Sequence, residues 1–363
     1  MSTIYDVARA AGVSPKTVSR VLNGDAPVGT DTRRAVTDAM VALGYVPSRA
    51  ARMMRSNRSG LVGLITGAIS VTLEEAQSLG LPELFIVQGI QKAMAKSGKT
   101  LMIADTGGDV SRAAPLIDTF LQHRVEGLIY VAEYHQKVVL PPVPADTPIV
   151  IVNGYDDIGT PAVLPDDEKG MHDLVEKLIE AGHTRIGYLT LREDVVATPL
   201  RLAGYQRALA EAGIGPDRSL IAPGELPGRE TDNEVLIPAL EGLLALNDPP
   251  TVICCGNDRM ALRTYGLLRA RGWRVPDDIS IAGYDNYRVI AETLFPPLTT
   301  VDLPYRAMGE RAAERLLSLI AGESRSPSAP DIVSGPVYWR RSVVAPKGVA
   351  LTQTTKVSGG LLS

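Results

Sequence analysis

The sequence is poor in the residues that carry covalent and metal chemistry. Only two of its 363 residues are cysteines and only four are histidines. The cysteines, Cys254 and Cys255, are adjacent inside an apolar run, which predicts a buried strand and excludes a disulfide framework. The histidines do not have the spacing of metal ligands: His123, His135, His172 and His183. We therefore expect neither a metal site nor disulfide bonds.

Motifs of catalysis and of membrane insertion are also missing. The sequence has no Gly-x-Gly-x-x-Gly loop, no Walker sequence and no Gly-x-Ser-x-Gly nucleophile turn. No apolar run approaches the ~18 residues of a membrane helix, and no apolar segment follows a basic start as in a secretory signal. We expect a protein that is not an enzyme, has no cofactor and no membrane partner, and stays in the cytoplasm.

Positive charge is concentrated at one end of the chain. Residues 1–60 carry nine Lys or Arg against four Asp, a net charge of +5, whereas the whole chain has −4 and the remainder therefore −9. A small basic end on an acidic body favours contact with nucleic acid by that end alone. Because 363 residues exceed one ordinary hydrophobic core, the remainder has room for two further domains.

The basic end has the signals of two short helices joined by a tight turn. Thr3 and Asp6 have capping-box spacing, and Gly12 can end the first helix at a positive φ. Ser14 can cap a second helix that has Pro15 at its first position. Such a pair of helices is a helix-turn-helix, whose second helix enters the major groove of DNA.

The helical spacing of this region divides core residues from outward-facing ones. The residues expected to form a small shared core are Val7, Ala8, Ala11, Val18, Val21 and Leu22. The residues expected to face outward on the second helix, as donors for guanine edges and phosphates, are Lys16, Thr17, Ser19 and Arg20. Thr30 and Asp31 mark the start of a third helix, which Gly44 ends.

Residues 3 to 58 resemble the headpiece of LacI/GalR-family bacterial transcription regulators. The matching runs are Ile4–Ala8, Ala11–Ser14, Thr17–Asn23 and Leu43–Pro47. The resemblance implies that Pro15, Lys16 and Arg20 read bases of a pseudopalindromic double-stranded DNA operator. Because Pro15 has no side-chain donor, we expect specificity to depend on Lys16 and Arg20. The expected DNA-binding residues are Thr3, Tyr5, Ser14, Pro15, Lys16, Thr17, Ser19, Arg20, Asn23, Ala51 and Met54.

Residues 47–59 have two interpretations. The eight-residue segment that Ser48 could cap is too short for a stable isolated helix, and on composition alone it can be a plain linker. The resemblance instead implies a hinge helix that pairs with its symmetry mate at the operator centre. Met54 then occupies the position of an apolar wedge that enters the minor groove and kinks the DNA, and Ala50 that of the contact between the two helices.

From Gly60 onward, apolar runs alternate with amphipathic segments, which predicts parallel sheets covered by helices. Ligands of such sheets bind outside the carboxyl ends of the strands. Polar and aromatic side chains that suit a polyol follow five of the predicted strands: Asp105, Glu133 with Tyr134, Asn153 to Asp156, Asn257 with Asp258, and Asp285 with Asn286.

The family resemblance continues through this body, for example in Leu164–Gly170 and Asp278–Asp285. It implies a core similar to periplasmic sugar-binding proteins, with two subdomains joined by three crossovers. The expected effector-binding residues are Arg201, Asn257 and Asp285, which match effector-contacting positions of the family, together with Phe85, Asn153 and Tyr155. The segment Thr66–Glu83 is longer than the corresponding family loop, which favours an effector larger than a simple hexose.

The predicted fold class is an all-α helix-turn-helix headpiece followed by an α/β periplasmic-binding-protein-like core of two parallel-sheet, Rossmann-like subdomains. The predicted domains are the headpiece 1–46, the hinge 47–59, a first subdomain 60–160 and 292–323, a second subdomain 161–291 and 324–342, and a disordered tail 343–363. The tail lacks the leucine heptads that tie some family members into tetramers, so we expect a homodimer.

These features predict a sequence-specific DNA-binding transcriptional regulator, and specifically a repressor. Its small-molecule effector, a sugar, glycoside or sugar acid bound between the two subdomains, is expected to control its affinity for the operator. The alternative is a periplasmic-type solute-binding protein without a transcriptional role, which the body alone would suggest. An α/β enzyme is a third class. The basic headpiece and the missing signal sequence argue against the receptor, and the missing catalytic motifs argue against the enzyme.

Overall fold

A computed structural model describes residues 2–23, 28–45, 58–67, 82–228, 233–323 and 329–347. The chain divides into two units, Met1–Gly60 and Leu61–Ser363. Residues 47–57 of the predicted hinge 47–59, and residues 348–363 of the predicted tail, lie outside the described residues. Within the described part of the chain, no helix combines the length and apolar character needed to span a membrane.

The described residues of the first unit form three helices, α1 Ile4–Ala10, α2 Pro15–Asn23 and α3 Thr30–Ala42. The predicted capping box is present, because Thr3 Oγ1 accepts from the Asp6 amide at 3.4 Å and Asp6 Oδ2 accepts from the Thr3 amide at 2.9 Å. Ser14 Oγ accepts from the Thr17 amide at 3.1 Å and so caps α2. Local side-chain chemistry therefore sets the starts of both helices of the predicted pair.

The turn between α1 and α2 depends on Gly12. Its φ is +65°, and the Val13 amide donates to the Ala8 carbonyl at 3.0 Å while the Gly12 amide donates to the Arg9 carbonyl at 3.3 Å. This pair of hydrogen bonds is the Schellman motif that a left-handed glycine permits. The predicted helix end at Gly12 is confirmed.

Gly12→Ala is expected to destabilise the headpiece by about 1–2 kcal/mol, because an alanine is strained in the left-handed region although its Cβ would meet no atom within 4 Å. Amide hydrogen exchange of the full chain should show faster exchange in α1 and α2 and unchanged exchange in the second unit. Gly29→Ala is the matched control, because Gly29 has a φ of −53° and equally open surroundings. Equal effects of the two substitutions would contradict the conformational explanation.

The core of the headpiece contains the six residues predicted from helical spacing. Val7, Ala8 and Val18 are buried, and the other three, Ala11, Val21 and Leu22, pack partly buried against them. The third helix adds the buried residues Val36 and Ala39. Three short helices therefore share one small apolar cluster, which holds α2 in a fixed position relative to α1.

The second unit, where the structure describes it, forms two six-stranded sheets. The first sheet is parallel throughout, and its order in space is β11 (Asp331–Val333), β5 (Ala162–Pro165), β4 (Ile149–Tyr155), β3 (Leu128–Lys137), β1 (Leu61–Thr66) and β2 (Thr100–Asp105). The second is parallel except for its edge strand β12, and its order is β12 (Val337–Tyr338), β10 (Thr299–Asp302), β9 (Ser280–Asp285), β8 (Val252–Cys255), β6 (Ile186–Thr190) and β7 (Ile221–Pro223). The two predicted parallel-sheet subdomains are present.

Helices cover both faces of each sheet. Those of the first subdomain are α4 Pro82–Lys96, α5 Ala113–Gln122 and α11 Tyr305–Ala321. Those of the second subdomain are α6 Asp167–Glu180, α7 Ala197–Glu211, α8 Asn233–Leu244, α9 Asp258–Ala270 and the short α10 Arg288–Ala291. In each subdomain the buried apolar residues form two clusters, one on each side of the sheet, as expected for a doubly covered parallel sheet.

The subdomain boundaries differ from the predicted ones at three places. Ala162–Pro165 lies in the first sheet, because it pairs in parallel with β4, although it was expected in the second subdomain. Thr299–Asp302 lies in the second sheet beside β9, and Asp331–Val333 lies in the first sheet beside β5. These strands have three or four residues each, too few to show a subdomain preference in sequence. The chain crosses between subdomains after Pro165, after Asp302 and after Val333.

The predicted start of the disordered tail at 343 is wrong by several residues. Val343 is buried in the cluster of the second subdomain, and the Val344 amide donates to Ser280 Oγ at 3.2 Å. The Ser342 hydroxyl also donates to the Ile281 carbonyl at 2.6 Å. The segment therefore continues along β9, where apolar burial and hydrogen bonds to the strand hold it.

Candidate DNA-binding and effector sites

The outward face of α2 presents two cations one helical turn apart. Lys16 and Arg20 are exposed, and their separation of four residues places them on the same side of the helix. Thr17 is half-buried, and its hydroxyl lies 2.9 Å from Ser14 Oγ, so it is engaged in the helix start. Pro15 is half-buried at the first position of the helix.

Two further candidates lie near the start of α1. Tyr5 is 67% exposed and leaves its ring and hydroxyl free for contact with a ligand surface. Thr3 is exposed, but its hydroxyl donates to Asp6 Oδ2 at 2.7 Å. Of the remaining candidates, Ala51 and Met54 lie outside the described residues, as does the side chain of Asn23.

The prediction that Ser19 faces outward is wrong. Its side chain is 7% exposed, beside the fully buried Val18. At 100° per residue, position 19 lies only about 60° from Leu22, on the flank of the apolar stripe. Small residues on such a flank are covered by the neighbouring helix, and the outward face of α2 is therefore narrower than the four predicted outward residues suggest.

In the body, an irregularity of β3 shapes the region between the subdomains. Val131 pairs with Val152 and Gln136 pairs with Gly154, so residues 132–135 of β3 lie opposite Asn153 alone. Asn153 has a φ of +60°, is 2% exposed, and donates from Nδ2 to the Ala132 carbonyl at 3.4 Å. Bulges of this kind aim side chains away from a sheet and are frequent next to binding sites. In this structure the side chain of Asn153 is bonded to the bulged backbone of β3, which it helps to hold in place.

A buried polar network surrounds Arg201 on α7. Arg201 is 4% exposed, and its Nε donates to Asp167 Oδ1 at 2.8 Å while Nη1 donates to the Gly256 carbonyl at 2.6 Å. Its guanidinium carbon lies 3.6 Å from the centroid of the Tyr284 ring. Burial opposes ionisation of Asp167, but the charge of Arg201 and the hydrogen bond from His135 hold the pKa of this carboxyl below its ordinary value.

A close approach of two helices allows this network to form. A Cβ on Gly204 of α7 would lie 2.1 Å from the Glu168 carbonyl oxygen of α6. Because glycine has no Cβ, the two helices touch there, one turn away from Arg201 and one residue from Asp167. Packing of α6 on α7 therefore brings the guanidinium to the carboxylate.

Two neighbouring carboxyl groups lie at the carboxyl ends of β8 and β9. Burial raises the pKa of Asp285 to about 7, against the opposing charges of Arg201 and Arg259. Burial and the nearby Asp285 carboxyl raise the pKa of Asp258 well above its ordinary value. Asp258 accepts from Thr300 Oγ1 at 2.6 Å and from the Tyr287 amide at 2.7 Å, whereas Asp285 is partly exposed toward the cleft.

Asn257 and Tyr155 are both engaged with protein groups. Asn257 Oδ1 accepts from the Met260 amide at 2.7 Å and so caps α9, and its Nδ2 donates to Glu225 Oε1 at 3.2 Å. The Tyr155 ring contacts His135 edge-on, with centroids 6.1 Å apart. Contact of either side chain with an effector remains a prediction.

A cavity of about 560 Å³ lies between the subdomains. Phe85 of α4 lies on its first-subdomain side, and Arg259 and Asp285 lie on its second-subdomain side. The cavity therefore brings together two of the expected effector residues, Phe85 and Asp285. Arg201, Asn153, Tyr155 and Asn257 do not line it.

The crossover after β10 supplies lining residues that sequence reasoning missed. Leu303, Pro304 and Tyr305 follow the carboxyl end of β10 and line the cavity. Had Thr299–Asp302 been identified as a strand of the second sheet, the rule that ligands bind beyond strand ends would have indicated them. Of the unusually long segment Thr66–Glu83, residues 68–81 lie outside the described residues.

Comparison with known sequences places both units in characterised families. Residues 3–48 match the family described as bacterial regulatory proteins, lacI family, and residues 175–343 match a periplasmic binding protein-like domain. The HTH-type transcriptional repressor PurR of Vibrio atlanticus (strain LGP32) is 34% identical over 323 residues, which cover 88% of this chain and 92% of that protein. PurR of Vibrio campbellii (strain ATCC BAA-1116) is 33% identical with the same coverage.

Solved structures show the same architecture. The lac repressor dimer bound to operator and the anti-inducer ONPF is similar with a TM-score of 0.72 and 27% identity, covering 95% of this chain and 99% of that one. The transcriptional regulator CelR in complex with cellobiose has a TM-score of 0.61 and 28% identity, covering 94% and 100%. A LacI-family regulator from Rhizobium etli has a TM-score of 0.70 and 35% identity, covering 79% and 100%.

Proposed function

Because the chain belongs to the LacI family of bacterial regulatory proteins, we propose that it is a sequence-specific DNA-binding repressor controlled by a small molecule in the cleft of its body. The observation that carries the DNA-binding half is the capped helix pair with Lys16 and Arg20 exposed one turn apart on its second helix. Cationic side chains at that spacing suit guanine edges and phosphates of the major groove.

The effector half of the proposal is supported by the cavity between the subdomains. Its volume of about 560 Å³ lies within the range of small-molecule sites. The lining combines aromatic rings, which can cover the C–H face of a sugar, with charged groups that can bond its hydroxyls: Phe85, Tyr287, Tyr305 and Tyr338, and Arg259, Asp285 and Asp302. A sugar or glycoside is the class that we propose, and cellobiose is the ligand of one structural relative.

We further propose that the protein is a homodimer in the cytoplasm. Two copies related by a twofold axis would place two α2 helices on the half-sites of a pseudopalindrome, and the lac repressor relative is a dimer on its operator. Effector bound between the subdomains favours one relative orientation of them. The resulting coupling between effector and DNA is typically 1–3 kcal/mol and is reciprocal.

Selection of binding sites from a random duplex library with the purified full-length chain tests the DNA-binding half. We expect enrichment of a pseudopalindrome with half-sites about one helical turn apart. A thermal-shift screen against sugars, glycosides and sugar acids tests the other half, because a ligand at about 100 times its Kd adds about 2.7 kcal/mol of stability. No preference for any duplex, with every candidate ligand supplied, would refute the proposed function.

The raised pKa of Asp285 predicts a pH dependence of effector binding. An uncharged sugar donates hydroxyl protons to the carboxylate, and protonation of Asp285 below its pKa of about 7 removes that acceptor. Affinity for a neutral effector is therefore expected to fall about tenfold between pH 8 and pH 6. Isothermal titration at the two pH values measures this change. Asp285→Asn should bind more weakly and show no such dependence, whereas an affinity that rises toward pH 6 would contradict a neutral effector bound through this carboxylate.

A further inference from the structure

The bulge of β3 reaches from the first subdomain to the second. Residues 132–135 lie opposite the single residue Asn153 of β4. Two of them, Tyr134 and His135, contact the other subdomain. The guanidinium carbon of Arg192, just after β6, lies 5.4 Å from the centroid of the Tyr134 ring. This contact is a cation–π interaction across the space between the sheets.

The second contact is a buried hydrogen bond. His135 Nδ1 lies 2.8 Å from Asp167 Oδ2, at the first residue of α6. His135 is 7% exposed and Asp167 is 1% exposed. An ionised carboxylate can only accept, so His135 donates from Nδ1. A hydrogen bond to a charged group in a water-excluded place is among the stronger single contacts in a protein.

Asp167 joins this contact to Arg201. Its two oxygens are divided between the subdomains, since Oδ2 accepts from His135 of the first and Oδ1 accepts from Arg201 of the second. Arg201 is held in turn by the Gly256 carbonyl and by the Tyr284 ring. A displacement of the bulge therefore removes one of the two side-chain donors of Asp167. The position of the Arg201 guanidinium, which is bonded to the same carboxylate, changes as a result.

We propose that residues Ala132–His135 are a latch that holds the two subdomains in the orientation seen here, with His135 as a positioning residue that acts on Arg201 through Asp167. The role of Arg201 as an effector contact rests on the proposed function. The latch itself does not, because its contacts are between protein groups. Opening of the subdomains would break both contacts together, so effector affinity and subdomain orientation become linked.

The test compares His135→Leu with His135→Asn in the full-length chain. Leucine fills the space without a donor, whereas the asparagine Nδ2 can occupy the place of the histidine Nδ1 and donate to Asp167. Nitroxide labels on Asp118→Cys and Gln206→Cys, exposed positions of α5 and α7, report the distance between the subdomains by pulsed electron paramagnetic resonance. Cys254 and Cys255 are fully buried, and burial raises the pKa of both thiols, so they escape labelling.

We expect a narrow distance distribution for the unmodified latch, a second and longer distance for His135→Leu, and return of the narrow distribution for His135→Asn. Singly labelled chains identify distances between protomers, and His123→Leu, an exposed histidine of the same subdomain, should change nothing. An unchanged distribution in His135→Leu would overturn the latch. Equal broadening in His135→Leu and His135→Asn would show that the hydrogen bond is not its basis.

Two further measurements keep the proposal testable if His135→Leu does not fold. Tyr134→Ala removes the other contact at a side chain that is 38% exposed, and should also add a longer distance without a large change in melting temperature. The Nε–H proton of Arg201, assigned by its loss in Arg201→Lys, should exchange slowly with water in the unmodified chain and in His135→Asn. Exchange should be faster in Tyr134→Ala, because a loosened bulge separates His135 from Asp167 more often. Exchange as slow in Tyr134→Ala as in the unmodified chain would overturn the positioning role of His135. No effector or DNA is needed, so failure of the latch leaves the proposed function standing.

Discussion

Arg201→Ala is expected to destabilise the body by about 3–5 kcal/mol and to abolish the response to effector. The substitution leaves Asp167, which is 1% exposed, without its principal counter-charge and removes the cation that covers the Tyr284 ring. Loss of one partner of a buried ion pair leaves an uncompensated charge in a place where water cannot replace the missing donor. Chemical denaturation of the full-length chain measures the change in the free energy of unfolding.

Arg207→Ala is the matched control on the same helix. Arg207 lies 3.1 Å from Glu168 and 3.8 Å from Glu211, but its side chain is 45% exposed, and such surface pairs contribute about 0–1 kcal/mol. Arg207→Ala should therefore have nearly the same free energy of unfolding as the unmodified chain, and it should respond normally to effector. If Arg201→Ala lowered the free energy of unfolding no more than Arg207→Ala does, the buried network around Asp167 would not have the stabilising role assigned to it.

The effector response separates the two roles of Arg201. With folded protein at low temperature, Arg201→Ala should still select the same operator, because the headpiece is a separate unit with its own apolar core. It should show no thermal shift with the ligand found for the unmodified chain. Retention of a full shift would contradict the predicted role of Arg201 in effector binding and leave it a structural residue.

Local signals explain why the headpiece could be predicted closely. Thr3, Asp6, Gly12 and Ser14 act on backbone groups within five residues of themselves, so their spacing in sequence is their geometry in space. Ser19 shows the limit of this reasoning. Its burial depends on how close the neighbouring helices lie, which spacing within one helix cannot give.

The effector region depends on contacts that are distant in sequence. His135 meets Asp167 across 32 residues and Arg201 meets Asp167 across 34, and neither pairing follows from the alternation of strands and helices. The bulge that presents His135 arises from the register of β3 against β4, which fully apolar strands do not specify. Strand ends indicated where Asp285 lies, because the end of a parallel strand is a local property, but they did not indicate its neighbours.

Substitution of both Lys16 and Arg20 by alanine is expected to weaken binding to the selected operator by about 2–6 kcal/mol, with about 1–3 kcal/mol for each position. The same substitutions should weaken binding to random duplex much less, because phosphate contacts from elsewhere in the headpiece remain. Fluorescence anisotropy titrations against operator and scrambled duplex at one fixed salt concentration measure both affinities. The predicted quantity is the ratio of the affinity for the operator to the affinity for the scrambled duplex, which should fall toward one.

Arg34→Ala is the control for loss of charge. Arg34 is exposed on α3, outside the helix that is expected to read bases, so its removal should lower affinity for both duplexes by a similar factor and leave the ratio unchanged. Each single substitution on α2 adds a further constraint, since a residue that reads a base must relax the preference at one position of each half-site. If Arg20→Ala bound with an unaltered sequence preference, base reading would have to come from other residues, and exposure of a cation on α2 would indicate only attraction to the DNA backbone.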